Sequence, residues 1–244
     1  MQVFRSESTF PAHNAALEEW LYRNQTTEPA LLFYRNTSSV LIGRNQNVHR
    51  EADVKWCAEH SVQIVRRISG GGAVYHDMGN LNYAFVVERS GYSPDRYVGI
   101  ALDALRSLGL AGARINEHHS IWCGEGKVSG SAFALGKTAL IHGCILVETD
   151  LEMLSAALNG DPTAESAGAA IDSVRVPVVN VSSLVPSVSI DGLQNALLHQ
   201  TATQLGCDLS AGDCDTISET EEFKALERKY SSQSWNMERI VNSN

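Results

Sequence analysis

Apolar residues recur along the chain with two different periods, and these periods predict a mixture of helices and strands. Residues 12–24 show the helical period, because Ala16, Leu17, Trp20 and Leu21 fall on one face of a helix. Further helices are expected at 51–61, 92–108, 151–159, 190–206 and within 219–237. The last of these should bring Trp235 back onto the body of the protein. The helices therefore recur along the whole chain.

Short apolar runs between turn residues predict the strands. They are ALLFYR (30–35), SVLIGRNQ (39–46), QIVRR (63–67), NYAFVV (82–87), a meander over 121–150, and SVRVPVVN (173–180) as a turn or edge strand. The first two are joined by the turn at 36–38, and residues 160–170, rich in small side chains, are predicted to form a mobile loop. No repeat or linker divides the chain, so one α+β domain over residues 1–244 is expected.

Residues 65–85 (VRRISGGGAVYHDMGNLNYAF) contain three consecutive glycines that no packing pattern explains. A glycine inside an element costs roughly 0.5–1 kcal/mol relative to alanine, so Gly70, Gly71 and Gly72 indicate a sharp turn or a close approach to a ligand. We expect a loop between two strands of one sheet, with Arg66 and Arg67 beside it. The spacing matches neither common nucleotide motif, but backbone N–H groups there could bind a phosphate or carboxylate. A plain tight turn remains the alternative.

A second candidate is Lys127 in GKVSGSA (126–132), where small residues leave room for a ligand beside the ammonium group. A solvated surface charge is the alternative. Together with an arginine and a bed of N–H groups, a lysine could stabilise the charge that develops when a carboxylate attacks an α-phosphate. The two segments therefore point to the adenylation of a carboxylic acid.

Composition narrows the class of protein. The formal net charge of −9 argues against general binding of nucleic acid or anionic membranes, so an anion site must be a local basic pocket. The five cysteines are scattered and lack metal-binding spacing, which favours reduced thiols. The N-terminus has no signal-peptide pattern, and no run of about 18 apolar residues could span a membrane. A soluble protein of the cytoplasm, or of the mitochondrial matrix in a eukaryote, is expected.

Four segments resemble, in this order, the lipoate–protein ligase A and lipoyltransferase family: RRISGGGAVYHDMGNLNYAF, GKVSGSAF, HGCILVETDLEMLSAALN and SVRVPVVNVSSLVP. The resemblance covers most of the chain. It implies a biotin/lipoate ligase-like α+β catalytic domain with a large and a small β-sheet flanked by helices. It further implies that lipoate is activated with ATP and Mg²⁺ to lipoyl-AMP. The lipoyl group would then pass to a lysine of a carrier domain in 2-oxoacid dehydrogenases or of the glycine cleavage H-type protein.

By position, the resemblance implies that Lys127 is the main catalytic group and touches both the lipoyl carbonyl and the phosphate. It implies nucleotide and acyl-phosphate contacts from Arg67, Gly71, Gly72, Ala73, Val74, Tyr75 and His76. For His76 and Asp77 a purely structural role is also open. No metal site in the protein itself is expected. The aliphatic tail and dithiolane need an apolar slot, which we expect on SVLIG and NYAFVV.

Three departures from the family pattern affect these expectations. His118-His119-Ser120 stands where an Arg-Asn-Asp triplet is common, and Ile145 stands where a threonine is expected to bind the adenylate. The two histidines would point to opposite sides of a strand, towards the surface or the pocket. The third departure is that we expect the accessory C-terminal domain of the long ligases to be absent, in which case a small separate protein would be needed for adenylation.

Two alternative functions remain open. Transfer from lipoyl-AMP or an octanoyl carrier without ATP is one, and related octanoyltransferases carry the acyl group on a cysteine. Cys123 and Cys144 lie near enough in sequence to Lys127 to be considered, although packing is the simpler role for both. The second alternative, from another class, is a lipoate-binding protein without catalytic activity.

Overall fold

The computed structural model describes residues 1–24, 28–165 and 171–238. Its strands are β1 (Gln2–Arg5), β2 (Ala30–Tyr34), β3 (Ser39–Ile42), β4 (Gln63–Arg66), β5 (Val74–His76), β6 (Asn80–Glu88), β7 (Ala113–Ile115), β8 (Ile121–Cys123), β9 (Gly126–Leu135), β10 (Thr138–Leu146) and β11 (Ser210–Ala211). Its helices are α1 (Pro11–Asn24), α2 (Val48–Glu51), α3 (Val54–Glu59), α4 (Pro94–Ser107), α5 (Leu151–Ala157), α6 (Val181–Leu184), α7 (Ile190–Leu205), α8 (Cys214–Ser218), α9 (Glu221–Ser231) and α10 (Gln233–Met237). The predicted mixture of helices and strands is confirmed.

Eight strands form a large sheet in the order β11-β1-β2-β6-β10-β9-β8-β7. Strand β1 is parallel to both of its neighbours, and the remaining pairs are antiparallel. The predicted meander is confirmed as β8, β9 and β10, with its two turns at Gly124 and Gly136. This meander places Lys127 at the beginning of β9, beside the centre of the sheet.

Three strands form a small sheet in the order β4-β3-β5. The predicted strands 30–35 and 39–46 are therefore real but belong to different sheets, and the second ends at Ile42. The glycine loop joins β4 to β5 within the small sheet, as expected for a loop between strands of one sheet. However, the strand that follows the loop is Val74–His76, whereas NYAFVV belongs to β6 of the large sheet. The chain crosses from the small sheet to the large one after β5, in the turn at 77–79.

Helices cover both faces of the large sheet. Helices α4 and α7 cover one face, where Phe85, Ile141 and Ile145 are buried. Helices α1 and α9 cover part of the other face and bury Leu17, Leu140 and Phe223. The small sheet lies beside α1 on this second face, which leaves the space for a cavity between the two sheets.

Three local predictions need adjustment. The predicted helix 51–61 is observed as the shorter α3, capped at Asp53, while Glu51 ends the separate helix α2, because the chain is extended at Ala52. The segment 173–180 makes a single bridge, from Val178 to Lys127. The predicted loop 160–170 lies partly outside the described residues. Trp235 does pack back, since its indole N–H donates to the carbonyl oxygen of Arg66 at 2.7 Å. Among the helices of the described ranges, none is long and apolar enough to cross a membrane.

Candidate active site

The glycine loop is packed so closely that side chains would not fit at two of its contacts. A Cβ on Gly43 would clash with the carbonyl oxygen of Gly71, and Gly71 itself has a φ of +86°. A Cβ on Gly72 would lie 2.8 Å from Oγ of Ser173. The loop therefore needs glycine for close backbone approach to two neighbouring segments. A tight turn alone does not account for the run.

Arg67 holds the loop in this shape from inside. Its guanidinium donates to the carbonyl oxygens of Gly70 at 2.7 Å, Gly72 at 2.8 Å and Leu41 at 2.9 Å, and its Nε–H donates to Oγ of Ser69 at 2.9 Å. Burial lowers the pKa of Arg67 to about 10, so the group remains charged at neutral pH. Four of its five N–H donors are thus used within the protein. Its main structural contribution is the form of the loop.

A chain of hydrogen bonds continues from Arg67 through the interior. Oγ of Ser69 lies 2.7 Å from Nε2 of His142, and Nδ1 of the same ring lies 3.0 Å from a carboxylate oxygen of Glu18. That oxygen also accepts the hydroxyl of Tyr34 at 3.1 Å. Glu18, Ser69 and Tyr34 were not predicted from the sequence as site residues. Glu18 could have been noticed, because a carboxylate three residues before Leu21 lies on the buried side of a predicted helix.

Lys127 is held by β9 and by the segment that follows residue 170. Its N–H donates to the carbonyl oxygen of Pro177 at 2.9 Å, and its carbonyl oxygen accepts from Val179 at 3.0 Å. Its Nζ lies 3.2 Å from the position that a Cβ on Gly130 would take. The small residue thus leaves the path of the lysine side chain open. Burial lowers the pKa of Lys127, which does not fit the reading of a solvated surface charge.

Two cavities meet at Lys127. The large cavity, of about 440 Å³, lies between α1, the glycine loop and the large sheet, and it reaches Glu18, Tyr34 and His76. The small cavity, of about 340 Å³, lies between β5, α5 and the segment 173–178. Both are lined by Ala73, Val74, Lys127, Gly130, Cys144, Ser173, Val174 and Val176. A ligand with two parts could therefore fill both cavities, with its central bond beside the lysine ammonium.

Most of the residues predicted for the site line these cavities. Arg67, Gly71, Gly72, Ala73, Val74, His76 and Lys127 line the large cavity. Tyr75 lines only the small one, and its hydroxyl donates to Ser38. The expected apolar slot is only partly right: SVLIG contributes Leu41 and NYAFVV contributes Asn82, whereas their other side chains do not line the large cavity. Helix α1 supplies Pro11 and Ala15 instead.

The two adjacent histidines lie in the turn between β7 and β8, so the prediction that they lie on a strand is wrong. Oδ1 of Asn116 accepts the backbone N–H groups of His118 and Ser120, which bends the chain there. His118 and Ser120 line the large cavity. His119 has a φ of +56° and its ring lies 3.1 Å from a carboxylate oxygen of Asp95, outside that lining.

Cys144 and Ile145 face opposite sides of β10 because side chains alternate along a strand. Ile145 is fully buried against α4 and α7, so a hydroxyl there could not reach a ligand in either cavity. The expectation that Ile145 removes an adenylate contact is therefore wrong. Cys144 is the cavity-facing member of the pair, and burial raises the pKa of its thiol. Cys123 packs against the core under α4.

Comparisons of sequence place this site in a known context. Residues 11–202 match the model of the lipoyl protein ligase A/B catalytic domain. The chain is 39% identical over 203 residues to a Schizosaccharomyces pombe protein provisionally named lipoate-protein ligase A, covering 82% of this chain and 55% of that protein. It is 38% identical over 243 residues to lipoate-protein ligase A subunit 1 of Thermoplasma acidophilum, covering 91% and 90%. The chain thus spans about half of the first relative and most of the second.

Solved structures show the same similarity in three dimensions. A Thermoplasma acidophilum protein with bound lipoic acid superposes with a TM-score of 0.80 at 31% identity, over 97% of this chain and 99% of that one. A lipoate-protein ligase A bound with ATP gives the same score and identity, over 98% and 99%. A two-part ligase described with its E2 lipoyl domain, also from T. acidophilum, gives 0.81 at 31% identity, over 99% and 98%.

Proposed function

Because the chain belongs to the lipoyl protein ligase A/B catalytic domain family, we propose that it is the catalytic chain of a lipoate–protein ligase. It activates lipoate with ATP to lipoyl-AMP and transfers the lipoyl group to a lysine of a lipoyl carrier domain. The observation that carries the proposal is the junction of two cavities at Lys127. An acyl-adenylate has two unlike parts joined at one reactive bond, which is the form that this junction accommodates.

The positions of charged side chains favour one order of the two parts. The large cavity also contains a cation, Arg67, but four of its N–H groups are bound to protein oxygens. Its far end contains the carboxylate of Glu18, which would repel phosphate oxygens. The small cavity is lined by two cations, Lys127 and Arg175, and by one carboxylate, Glu51, which accepts the backbone N–H of Ser173. Apolar residues of α5 such as Leu154 and Leu158 complete its lining. The proposal therefore places the acyl tail in the large cavity and the nucleotide in the small one.

The chemistry then proceeds in two steps at Lys127. First, a carboxylate oxygen of lipoate attacks the α-phosphorus of ATP, and the bond to the leaving pyrophosphate breaks. The amine of the carrier lysine next attacks the acyl carbon, the bond to AMP breaks, and the amine loses a proton. In both steps negative charge develops on oxygens near the junction, where a fixed ammonium group stabilises it. Arg67 acts indirectly, by holding the loop that forms the wall.

Mg²⁺ enters this proposal together with ATP. The described ranges contain no group of three or more His, Cys, Asp or Glu that could hold a metal ion. Mg²⁺ is often bound mainly through the phosphates of its substrate, with few protein ligands. The ion would therefore be carried by the nucleotide.

The partners in the proposal are a lipoyl carrier domain and an accessory chain. The carrier is a lipoyl domain of a 2-oxoacid dehydrogenase or a glycine cleavage H-type protein, acting in the cytoplasm or the mitochondrial matrix. The accessory chain is included because the relative that this chain spans almost completely is named as subunit 1 of a ligase. Such a chain would assist adenylation rather than transfer.

A three-donor experiment tests the proposal. The protein is mixed with a lipoyl domain and, in parallel, with ATP plus lipoate, with preformed lipoyl-AMP, or with an octanoyl carrier protein. Mass spectrometry of the carrier reads the product. We expect lipoyl-AMP to modify the carrier whether or not a partner chain is present. ATP plus lipoate should modify it either with this chain alone or after a partner chain is added.

The other outcomes identify the alternatives. Modification from the octanoyl carrier alone would replace the ligase by an acyltransferase. Binding of lipoate without modification from any donor, even with a partner chain present, would replace it by a lipoate-binding protein.

A further inference from the structure

The large cavity has an end that it does not share with the small cavity. His76 and Asn82 line only this part, whereas Lys127 lies where the cavities join. His76 is 5% exposed and Asn82 is fully buried. If an acyl group has its carboxyl carbon at Lys127, the distal end of its tail lies among these side chains.

The strand register gives the distance between Lys127 and this end of the cavity. Asn82 pairs with Tyr34 on one side and with Cys144 on the other, and Cys144 pairs with Gly130. The Nζ of Lys127 lies over Gly130. Asn82 is therefore two strand spacings from Gly130, about 10 Å. The row of side chains leads from the head of the acyl group towards its tail.

Two buried amides determine which nitrogen of His76 carries the proton. The two hydrogens of Nδ2 of Asn14 are shared among three oxygens, namely the carbonyls of Ser8 and Arg35 and Oδ1 of Asn36 at 2.8 Å, which fixes both amides in one orientation. Nδ2 of Asn36 is then the atom 3.1 Å from Nδ1 of His76. Because an amide N–H can only donate, Nδ1 accepts and the proton of the neutral ring is on Nε2.

Three polar side-chain atoms of His76 and Asn82, at this end of the cavity, have no hydrogen-bond partner within the described ranges. The Nε2 of His76 is buried without a hydrogen bond to any described residue, and the same holds for both Nδ2 and Oδ1 of Asn82. Burial, with Arg67 and His142 nearby, lowers the pKa of His76 to about 3, so the ring is neutral under physiological conditions. Unpaired buried polar groups are costly, and a ligand that pairs them gains the difference.

We propose that His76, oriented by Asn36, and Asn82 recognise the distal end of the acyl substrate and favour a dithiolane over a saturated chain end. The inference rests on the proposed function, in which the acid in the large cavity is lipoate. Sulfur is a weak hydrogen-bond acceptor, whereas a methyl end accepts nothing and leaves both N–H groups desolvated. Asn36 is a positioning residue, since it acts through the tautomer of His76.

The test measures binding of lipoate and octanoate to the full chain by calorimetry. The wild type binds lipoate about tenfold more tightly, the factor that two weak hydrogen bonds to sulfur supply together. Asn82→Leu removes one donor at similar volume and reduces the ratio to about threefold or less, because lipoate loses a hydrogen bond and octanoate no longer leaves this N–H group desolvated. Thr201→Val, which removes a buried hydroxyl on α7 at the other face of the large sheet, leaves the ratio unchanged.

Asn36→Asp tests the positioning role. The new carboxylate still accepts from Asn14 but also accepts Nδ1–H of His76, so the proton of the neutral ring leaves Nε2. Nitrogen-15 NMR should find the proton on Nε2 in the wild type and on Nδ1 in Asn36→Asp at a pH where the ring is neutral. The lipoate advantage falls in this variant as in Asn82→Leu.

Equal affinity of the wild type for the two acids would overturn the inference. So would an unchanged ratio in both variants, a proton on Nδ1 in the wild type, or the absence of binding of either acid. Selective binding of lipoate without modification of a carrier would contradict the proposed function and leave this recognition standing. Ligase activity with equal affinity for the two acids would support the proposed function and contradict this recognition.

Discussion

Two adjacent arginines at the end of β4 face different regions of the molecule and have different consequences. Arg66 is fully buried on the side of the C-terminal helices and donates to carbonyl oxygens of Gly43, Arg44, Gln46, Trp235 and Asn236. Arg67 points to the other side, where it binds carbonyl oxygens of the glycine loop and lines the large cavity. Each guanidinium organises backbone, but only one of them does so at a ligand site.

The difference shows that the position of an arginine on the strand, and not its residue type, determines whether it supports the fold or lies at the ligand site. Both arginines were candidates for an anion ligand on sequence alone. Alternation along the strand sends Arg66 away from the cavity. There it connects the C-terminal segment to the turn at 43–46, which itself packs on the glycine loop. The C-terminal side is thus expected to determine stability, and the cavity side to determine activity.

The largest effect is expected from the cavity side alone. Lys127→Ala should lower lipoyl transfer by about a thousandfold or more, because it removes the fixed cation at the reactive bond. The unfolding midpoint in urea should change little. Lys137→Ala, an exposed lysine in the turn after β9, is the control and should keep full activity. Normal transfer by Lys127→Ala would show that this lysine is not the catalytic cation.

Changing each arginine to lysine should separate its effect on stability from its effect on activity. Arg66→Lys leaves buried carbonyl oxygens without donors and should lower the free energy of unfolding by about 3 kcal/mol, with near-normal activity in the folded protein. Arg67→Lys should lower activity by about a hundredfold through a disordered loop wall, with the smaller loss of stability. Urea unfolding and carrier modification measure the two properties. The opposite ranking would invalidate the comparison.

The next effect is a pH dependence of stability from His76. Its folded pKa of about 3 lies below that of the unfolded chain, so above pH 6.5 the residue contributes no pH dependence. As the pH falls below 6.5, the unfolded state binds a proton that the folded state does not. Acidification to pH 5 should therefore cost about 2 kcal/mol. His76→Gln should flatten this slope in urea unfolding, and the exposed His199→Gln should not.

The smallest effect is expected for the cavity thiol. Because burial raises the pKa of Cys144, the thiol is protonated near neutral pH and is a poor nucleophile. Cys144→Ala should keep lipoyl transfer within about threefold of the wild type. Loss of all activity, with an acyl-enzyme visible by mass spectrometry in the wild type, would instead support transfer through a thioester.

Much of the fold follows from local patterns. The helices at α1, α4 and α7 and the meander of β8, β9 and β10 were predictable, because their apolar periods are long and their ends carry clear signals. Gly206, for example, ends α7 in the left-handed conformation. Strand partners were not predictable: β2 and β3 look like neighbours in sequence, yet they lie in different sheets. A short apolar run indicates a strand but does not indicate which strand it joins.

Site residues could be predicted where the local sequence was unusual. They could not be predicted where the residue type was common at such a position. Consecutive glycines and an isolated lysine drew attention to the loop and to Lys127. Glu18 and Asn36 resemble a surface carboxylate and a turn residue, although both are buried in hydrogen-bond networks. Only the tertiary contacts between α1, the turn and β5 give them a function. The prediction for Ile145 failed for the same reason, because the pairing of β10 in the sheet determines which face its side chain occupies.

The central claim is that one ligand occupies both cavities with its reactive bond at Lys127. A crystal structure with a non-hydrolysable sulfamate analogue of lipoyl-AMP tests it directly. The account predicts the dithiolane beside His76 and Asn82, the adenosine between α5 and the segment 173–178, and the sulfamate within hydrogen-bond distance of Nζ. An analogue held entirely in one cavity, or a sulfamate out of reach of Lys127, would contradict the account.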